Sequence, residues 1–410
     1  MSDGITLRAP SGPLSGEIVL PASKSVSNRV LIIRALSGGD FPIDNLSDAD
    51  DTRHMLSCLE HQLEDERCGD GGTSFRFLLA LRACQGKIGT LTAEGRMLER
   101  PVAPLVDALN ALGADIIYTQ GQGRAAVRFS GKPMKGGEIH LTSSISSQFL
   151  SALMLIAPYL PGGLTIRLEG NTVSKPYIDM TAALMREFGA IVVQDDNVIS
   201  VREGRYVAKP FFIPPDWSAA AVFYAMVALR PGSKLSLSDL ALDRYQGDRA
   251  LATLMQEWGV QTTIDGHNII VTSSRIPSQF IETDFSNNPD LAQVFAVIAA
   301  VANRPMRLTG LSTLRIKETD RIQALVSELT KAGAGVSAGS DFLEVKSGVS
   351  GEAIASNQFY SHNDHRMVMT LSLLSLCVPV ISIQGAACIS KSFPEFFARL
   401  TEMDFQCTWN

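Results

Sequence analysis

A short apolar segment, a polar turn and a mostly apolar run of helical length recur along the chain. Gly16 to Leu20 leads into Ser23, Ser25 and Ser27 and then Val30 to Leu36. Gly137 to Leu141 leads into the turn Thr142 to Gln148 and then Phe149 to Ala157. The order returns at Phe211 to Ile213, Asp216 to Ser218 and Ala219 to Leu229. It returns again at Phe280 and Ile281, Asn287 to Asp290 and Leu291 to Ala302, and at Phe359 and Tyr360, His362 to Arg366 and Met367 to Leu376. A sixth turn, Gly69 to Ser74, opens Phe75 to Ala83. Runs that are apolar nearly all round predict buried helices.

Amphipathic second helices are predicted at Pro101 to Leu112, Tyr177 to Phe188, Gly247 to Trp258 and Lys317 to Ala332. Gly113, Gly189, Gly259 and Gly333 follow them, each where a helix commonly closes in the left-handed conformation. Alternating strand runs come next, for example Ile191 to Val193 and Val198 to Val201. The predicted unit is strand-helix-strand-helix-strand-strand, about seventy residues long, and periodicity on that scale marks repeated supersecondary units. The first copy is short. Its stretch Glu60 to Asp70 is charged and lacks strand alternation, so one or two strands are expected to be missing there.

Six units divide as three plus three, and 410 residues exceed what one hydrophobic core usually supports. Pro210, Pro214 and Pro215 interrupt the pattern, which predicts a domain boundary between Lys209 and Pro215. Buried helices within each domain would gather their N-termini on one face. Two such faces across a cleft would form an anion site, because helix N-termini present unpaired N–H groups and partial positive charge.

Composition narrows the possible partners. Apolar residues make up 45% and charged residues 19%, which argues against extended disorder. The net charge of -6 supplies no global attraction for nucleic acid, so any anion site must be a local cluster. Six cysteines without CxxC or Cys/His spacing indicate neither a disulfide framework nor a zinc site. Met1 to Leu14 is too polar for a signal peptide, and apolar runs such as Val294 to Ala302 are too short to span a bilayer. A cytoplasmic protein without membrane or nucleic-acid partners is expected.

The polar turns carry the candidate chemistry. Lys24 and Arg29 frame the first serines, which suits a phosphate or carboxylate. Gly71, Gly72 and Thr73 with Arg76 form a glycine-rich helix start that an anion can approach closely. Arg96 and Arg100 lie just before Pro101. Ser146, Ser147 and Gln148 offer hydroxyls and an amide, and Ser174 to Tyr177 reads as another capped helix start. Asp290 is placed either to cap a helix or to accept a proton. Lys317 and Arg321, four residues apart, are expected on one helix face beside Glu318. Asp364, His365, Arg366 and Lys391 add further charge at turns. Each of these also has a plain explanation as capping or solvated charge; their shared position at helix starts favours a site.

The ordered set Lys24-Ser25 with Arg29, Gly71-Gly72-Thr73 with Arg76, Glu99-Arg100-Pro101, Ser146-Ser147-Gln148, Ser174 with Tyr177, Asp290, Lys317 to Arg321, Asp364 to Arg366 and Lys391 resembles the 5-enolpyruvylshikimate-3-phosphate synthase family across nearly the whole chain. The resemblance implies an α/β (α+β) fold of two domains, expected at 1–21 with 215–410 and at 22–214, an inside-out barrel built from six βαβαββ units. It implies transfer of the enolpyruvyl group of phosphoenolpyruvate to the 5-hydroxyl of shikimate 3-phosphate. It assigns Ser25, Arg29, Ser146, Ser147, Gln148, Ser174, Tyr177, Asp290 and Lys317 to shikimate 3-phosphate. Lys24, Gly72, Arg100, Gln148, Arg321, Arg366 and Lys391 fall to phosphoenolpyruvate. Asp290 and Glu318 are the implied proton carriers, aided by Lys24 and His365. No cofactor or metal is implied, and a monomer is expected.

Two positions depart from the family. Asp70 stands where Asn is usual, and Thr313 where many members have Asn. An anionic Asp70 should disfavour a nearby anion unless it is protonated or turned away. Two alternatives follow: a non-catalytic polyanion-binding homologue, and a UDP-N-acetylglucosamine enolpyruvyl transferase. The second is disfavoured by Ser25 after Lys24 and by the lack of a cysteine near Glu94 to Pro101.

Overall fold

The computed structural model describes residues 3–61, 64–142, 146–170, 174–274 and 276–410. Residues 143–145 of the predicted turn Thr142 to Gln148, 62 and 63 of the charged stretch, and 1 and 2 of the polar N-terminus lie outside the described residues. The chain divides into two compact units, Met1–Pro21 with Pro214–Asn410, and Ala22–Ile213.

The unit Ala22–Ile213 contains helices α1 (Lys24–Ser37), α2 (Asp50–His61), α3 (Gly72–Cys84), α4 (Ala103–Ala111), α5 (Ser147–Ile156) and α6 (Lys175–Glu187). Helices α1, α3 and α5 pack on one another, as their apolar runs require. In α3 every residue except Thr73 and Cys84 is buried. The other unit contains α7 (Trp217–Leu229), α8 (Leu251–Leu254), α9 (Ala292–Val301), α10 (Arg321–Lys331), α11 (Gly351–Ala355), α12 (His365–Leu371) and α13 (Phe396–Thr401). Here α9 packs against α7 and α12 inside one continuous hydrophobic core.

Helix starts are written into the turns. Asp216 Oδ1 accepts from the N–H groups of Ser218 and Ala219 at 2.8 and 3.1 Å, and Asp364 Oδ1 from that of Arg366 at 2.9 Å. Asp320 accepts from Gln323 at 3.0 Å, and Ser146 from Gln148 at 3.4 Å. Each such cap stabilises its helix by about 1 kcal/mol.

Among the described residues, five four-stranded sheets share one connectivity: a parallel pair followed by two antiparallel strands. Gly137–Thr142, for instance, runs parallel to Leu164–Glu169, which pairs antiparallel with Val198–Val201, and that strand with Val192–Asp195. In another sheet the parallel pair is Phe359–Tyr360 with Ile381–Gln384, and the antiparallel strands are Ile5–Arg8 and Gln406–Trp409. The first copy is reduced to one parallel pair, Ile43–Asp44 with Phe211–Phe212.

Four local expectations need correction. The charged stretch after Leu59 does contain a strand, Asp65–Arg67, the first of a four-stranded sheet. Its one inward side chain is Glu66, not an apolar residue. Glu66 is satisfied by a bidentate bond from buried Arg82, at 2.9 and 2.6 Å, so hydrophobic alternation is absent by design. The helix expected over Gly247 to Trp258 is broken into two 3-10 turns flanking α8. Lys317 lies before α10, in extended backbone, so it does not share a helix face with Arg321. Asp290 does not cap α9; the helix begins at Ala292 without a side-chain cap, which leaves the carboxylate to other partners.

Candidate active site

In the unit Ala22–Ile213, Lys24 is the first residue of α1. Its Nζ lies 2.8 Å from Oδ2 of Asp51, a buried residue in the first turn of α2. Gly72 opens α3 between two buried arginines. A Cβ there would meet Nη1 of Arg76 and Nη1 of Arg100, each at 2.7 Å. Only a residue without a side chain lets both guanidinium groups approach this backbone undisturbed. Arg76 donates to Gln148 Oε1, to the Pro101 carbonyl at 2.9 Å and to the Gly72 carbonyl at 3.3 Å, and it stacks over Phe149 at 4.9 Å. Gln148 Nε2 in turn donates to Thr73 Oγ1 at 3.1 Å. Gly72, Arg100 and Gln148 are thus brought together through Arg76.

Arg29 is buried and braces α1 against α5 and α6. It donates to Thr181 Oγ1 at 2.7 Å, Ser151 Oγ at 3.0 Å and the carbonyls of Ser25 and Tyr177 at 2.8 and 3.3 Å. Burial pushes its pKa down to about 10, opposed by Tyr177. It thus meets Ser25 and Tyr177, which the sequence groups with it, through their backbone carbonyls. Ser147 is buried at the start of α5. Ser174 precedes α6 with φ of 57°, a left-handed conformation that few non-glycine residues adopt without support. Half-buried Asp70 packs beside Gly95, in the turn that leads to Arg100.

The other unit gathers opposite charges around Arg321, which is 1% exposed. Its Nε donates to Asp364 Oδ2 at 2.7 Å, Nη1 to Asp290 Oδ1 at 2.8 Å and Nη2 to Glu318 Oε2 at 2.9 Å. Burial opposes the charge, but Asp364, Glu318 and Asp290 outweigh it and hold the guanidinium above its ordinary pKa. Asp290 also faces Lys317 Nζ at 3.6 Å and Arg366 Nη2 at 3.3 Å. Three carboxylates and three cations therefore interlock. His365 is buried, its Nδ1 4.0 Å from Asp364 Oδ1, and Lys391 Nζ donates to the Asn363 carbonyl at 3.3 Å. Thr313 Oγ1 is buried and has no hydrogen-bond partner among the described residues.

Some positioning groups escape sequence reading. Asp51 sits far in sequence from Lys24, and Glu328 from Tyr360 and His362. Glu328, wholly buried on α10, accepts from the Tyr360 N–H at 3.1 Å and bonds His362 Nε2 at 2.8 Å. His362 and Asn363 both adopt positive φ, 54° and 57°, so this clamp holds the bend that delivers Asp364, His365 and Arg366. A carboxylate at an inward position of a predicted amphipathic helix was the one available signal for Glu328.

Two units of small α/β sheets wrapped about buried helices, with charged side chains at helix starts, define an enolpyruvyl-transferase type of architecture. The EPSP synthase family profile (3-phosphoshikimate 1-carboxyvinyltransferase) matches residues 8–66 and 62–400. A 3-phosphoshikimate 1-carboxyvinyltransferase of Bacteroides fragilis (strain YCH46) is 40% identical over 400 residues, 97% of each chain. One from Haemophilus influenzae (strain Rd) is 35% identical, over 96% of this chain and 97% of its own. An Acinetobacter baumannii EPSP synthase structure superposes with a TM-score of 0.81 over 99% of both chains, at 22% identity, which speaks to the fold. The chain belongs to the EPSP synthase family.

Proposed function

We propose that the chain transfers the enolpyruvyl group of phosphoenolpyruvate to the 5-hydroxyl of shikimate 3-phosphate and releases phosphate. The observation that carries this is the Asp290 cluster: a carboxylate held by Arg321, Lys317 and Arg366, with Glu318 on the same arginine, in a chain whose full-length relatives bear that activity's name. Asp290 takes the proton of the 5-hydroxyl, whose oxygen bonds to the enol carbon. Glu318 supplies a proton to the methylene carbon, with Lys24 and His365 supporting its movement. Loss of phosphate and of one methyl proton then restores the double bond.

Ser25, Arg29, Ser146, Ser147, Gln148, Ser174, Tyr177, Asp290 and Lys317 hold shikimate 3-phosphate in this scheme. Lys24, Gly72, Arg100, Gln148, Arg321, Arg366 and Lys391 hold phosphoenolpyruvate. Arg29 also fixes the Ser25 and Tyr177 carbonyls. Two polyanions approach one another only against strong fixed countercharge, which also stabilises charge developing in the transition state. The scheme calls for no cofactor or metal. It suits a monomeric cytoplasmic enzyme; the net charge of -6 speaks against nucleic acid, and among the described residues no helix is long and apolar enough to cross a membrane.

The test is phosphate release by the purified chain with each substrate alone and with both. Release only with both supports the proposal. Binding of both without release would instead support the non-catalytic homologue.

A further inference from the structure

Behind the Asp290 cluster lies a fourth carboxylate that the scheme above does not use. Asp248, in the 3-10 turn Gly247–Ala250, is 3% exposed. Its Oδ1 accepts from Asn288 Nδ2 at 3.0 Å, and its Oδ2 from the Ser218 hydroxyl at the start of α7. Asn288 is itself tied into the turn, with its N–H on the Phe285 carbonyl and its carbonyl on the Leu291 N–H, both at 3.0 Å. Asp290 lies between those anchor points. Two charged groups act on Asp248 from packed elements: Asp290 from this turn and Arg366 from the first turn of α12. From α7 it meets the Ser218 hydroxyl, while Asp216 is engaged with the helix N–H groups. On its own turn, Arg249 acts on Asp243.

We propose that Asp248 is a positioning residue for proton transfer at Asp290: it anchors the Asn288 turn that carries Asp290 and sets a buried negative charge beside it. The inference rests on the enolpyruvyl-transfer scheme. Lys317, Arg321 and Arg366 all pair with the Asp290 carboxylate, so its cations must be balanced for it to serve as a base. A base must take a proton. An ionised Asp248 repels the Asp290 charge, and that repulsion is relieved when Asp290 accepts the hydroxyl proton. Burial first, and then the Asp290 charge, push Asp248 up to about 6, while the bonds from Asn288 and Ser218 and the charge of Arg366 pull it down. Asp248 is therefore ionised and effective above that pH, and its help fades below it.

A group held for packing alone behaves differently. Ionised Asp248 costs stability, since its folded pKa lies above the ordinary carboxylate value; the stabilising neutral form is lost as pH rises through about 6. Asp248→Asn keeps the shape and both hydrogen-bond partners but removes the charge. In the full chain at pH 8 this variant should melt at or above the wild-type temperature, bind both substrates with KM within about twofold, and show kcat lowered about tenfold or more. The acid limb of its kcat profile near pH 6 should disappear. Ser218→Ala removes a bond that favours the ionised form, so its acid limb should move to higher pH. Wild-type kcat and an acid limb unchanged in both variants would overturn the proposal. So would an Asp248→Asn protein that melts well below wild type and loses activity only in step with folding. A wild-type chain that binds the two substrates but releases no phosphate would overturn the transfer scheme itself, and this inference with it.

Discussion

The buried Arg321 cluster makes the sharpest stability prediction. Asp364→Ala removes the carboxylate that holds Nε at 2.7 Å and leaves a guanidinium that is 1% exposed with its charge less well matched. Removing one partner of a buried pair costs about 3–5 kcal/mol, because the other charge stays desolvated. The same carboxylate caps α12 through the Arg366 N–H at 2.9 Å, a further loss of about 1 kcal/mol. Asp290 and Glu318 remain on Arg321, so the two losses do not add fully, and about 3–5 kcal/mol is expected in total. For a unit of this size that lowers its melting temperature by roughly 6–20 °C. Calorimetry or urea unfolding measures it, with Asp320→Ala as the control. Asp320 also caps a helix and pairs with an arginine, but its side chain is 36% exposed. The control should cost about 1 kcal/mol. An Asp364→Ala protein no less stable than the control would refute the view that Arg321 depends on its buried carboxylates.

Three further outcomes are expected. Lys24→Ala and Asp290→Ala should each lower kcat/KM by about a hundredfold or more in the phosphate-release assay, with the circular dichroism spectrum retained. Arg29→Met should lose about 2–4 kcal/mol of stability in urea unfolding, since the Thr181, Ser151, Ser25 and Tyr177 acceptors lose their donor; it should also raise KM for shikimate 3-phosphate. Asp70→Asn should leave KM for phosphoenolpyruvate unchanged or lower it, and a large rise would overturn the idea that Asp70 is a tolerated departure.

The helices were legible because runs apolar on every side leave burial as the sole stable outcome, as in Ala219 to Leu229 and Leu291 to Ala302. The family was legible from residues at their N-termini. What escaped reading has a common cause: an ionic partner distant in sequence changes the local rule. Glu66 makes a strand without hydrophobic alternation because Arg82 neutralises it. Lys317 and Arg321 look like helix neighbours four residues apart, yet Asp320 starts the helix between them. Asp290 reads as a cap until Arg321, Lys317 and Arg366 are seen to claim it. Asp51 and Asp248 carry no local mark at all, since their importance lies in Lys24 and in the Asn288 turn.

Nuclear magnetic resonance of the product is the most direct measurement of enolpyruvyl transfer. The chain would be incubated with carbon-13-labelled phosphoenolpyruvate and shikimate 3-phosphate. A labelled vinyl ether carbon coupled to the shikimate 5-position, formed in step with phosphate, is the predicted result. Labelled pyruvate in its place, or phosphoenolpyruvate left intact while both ligands bind, would contradict it.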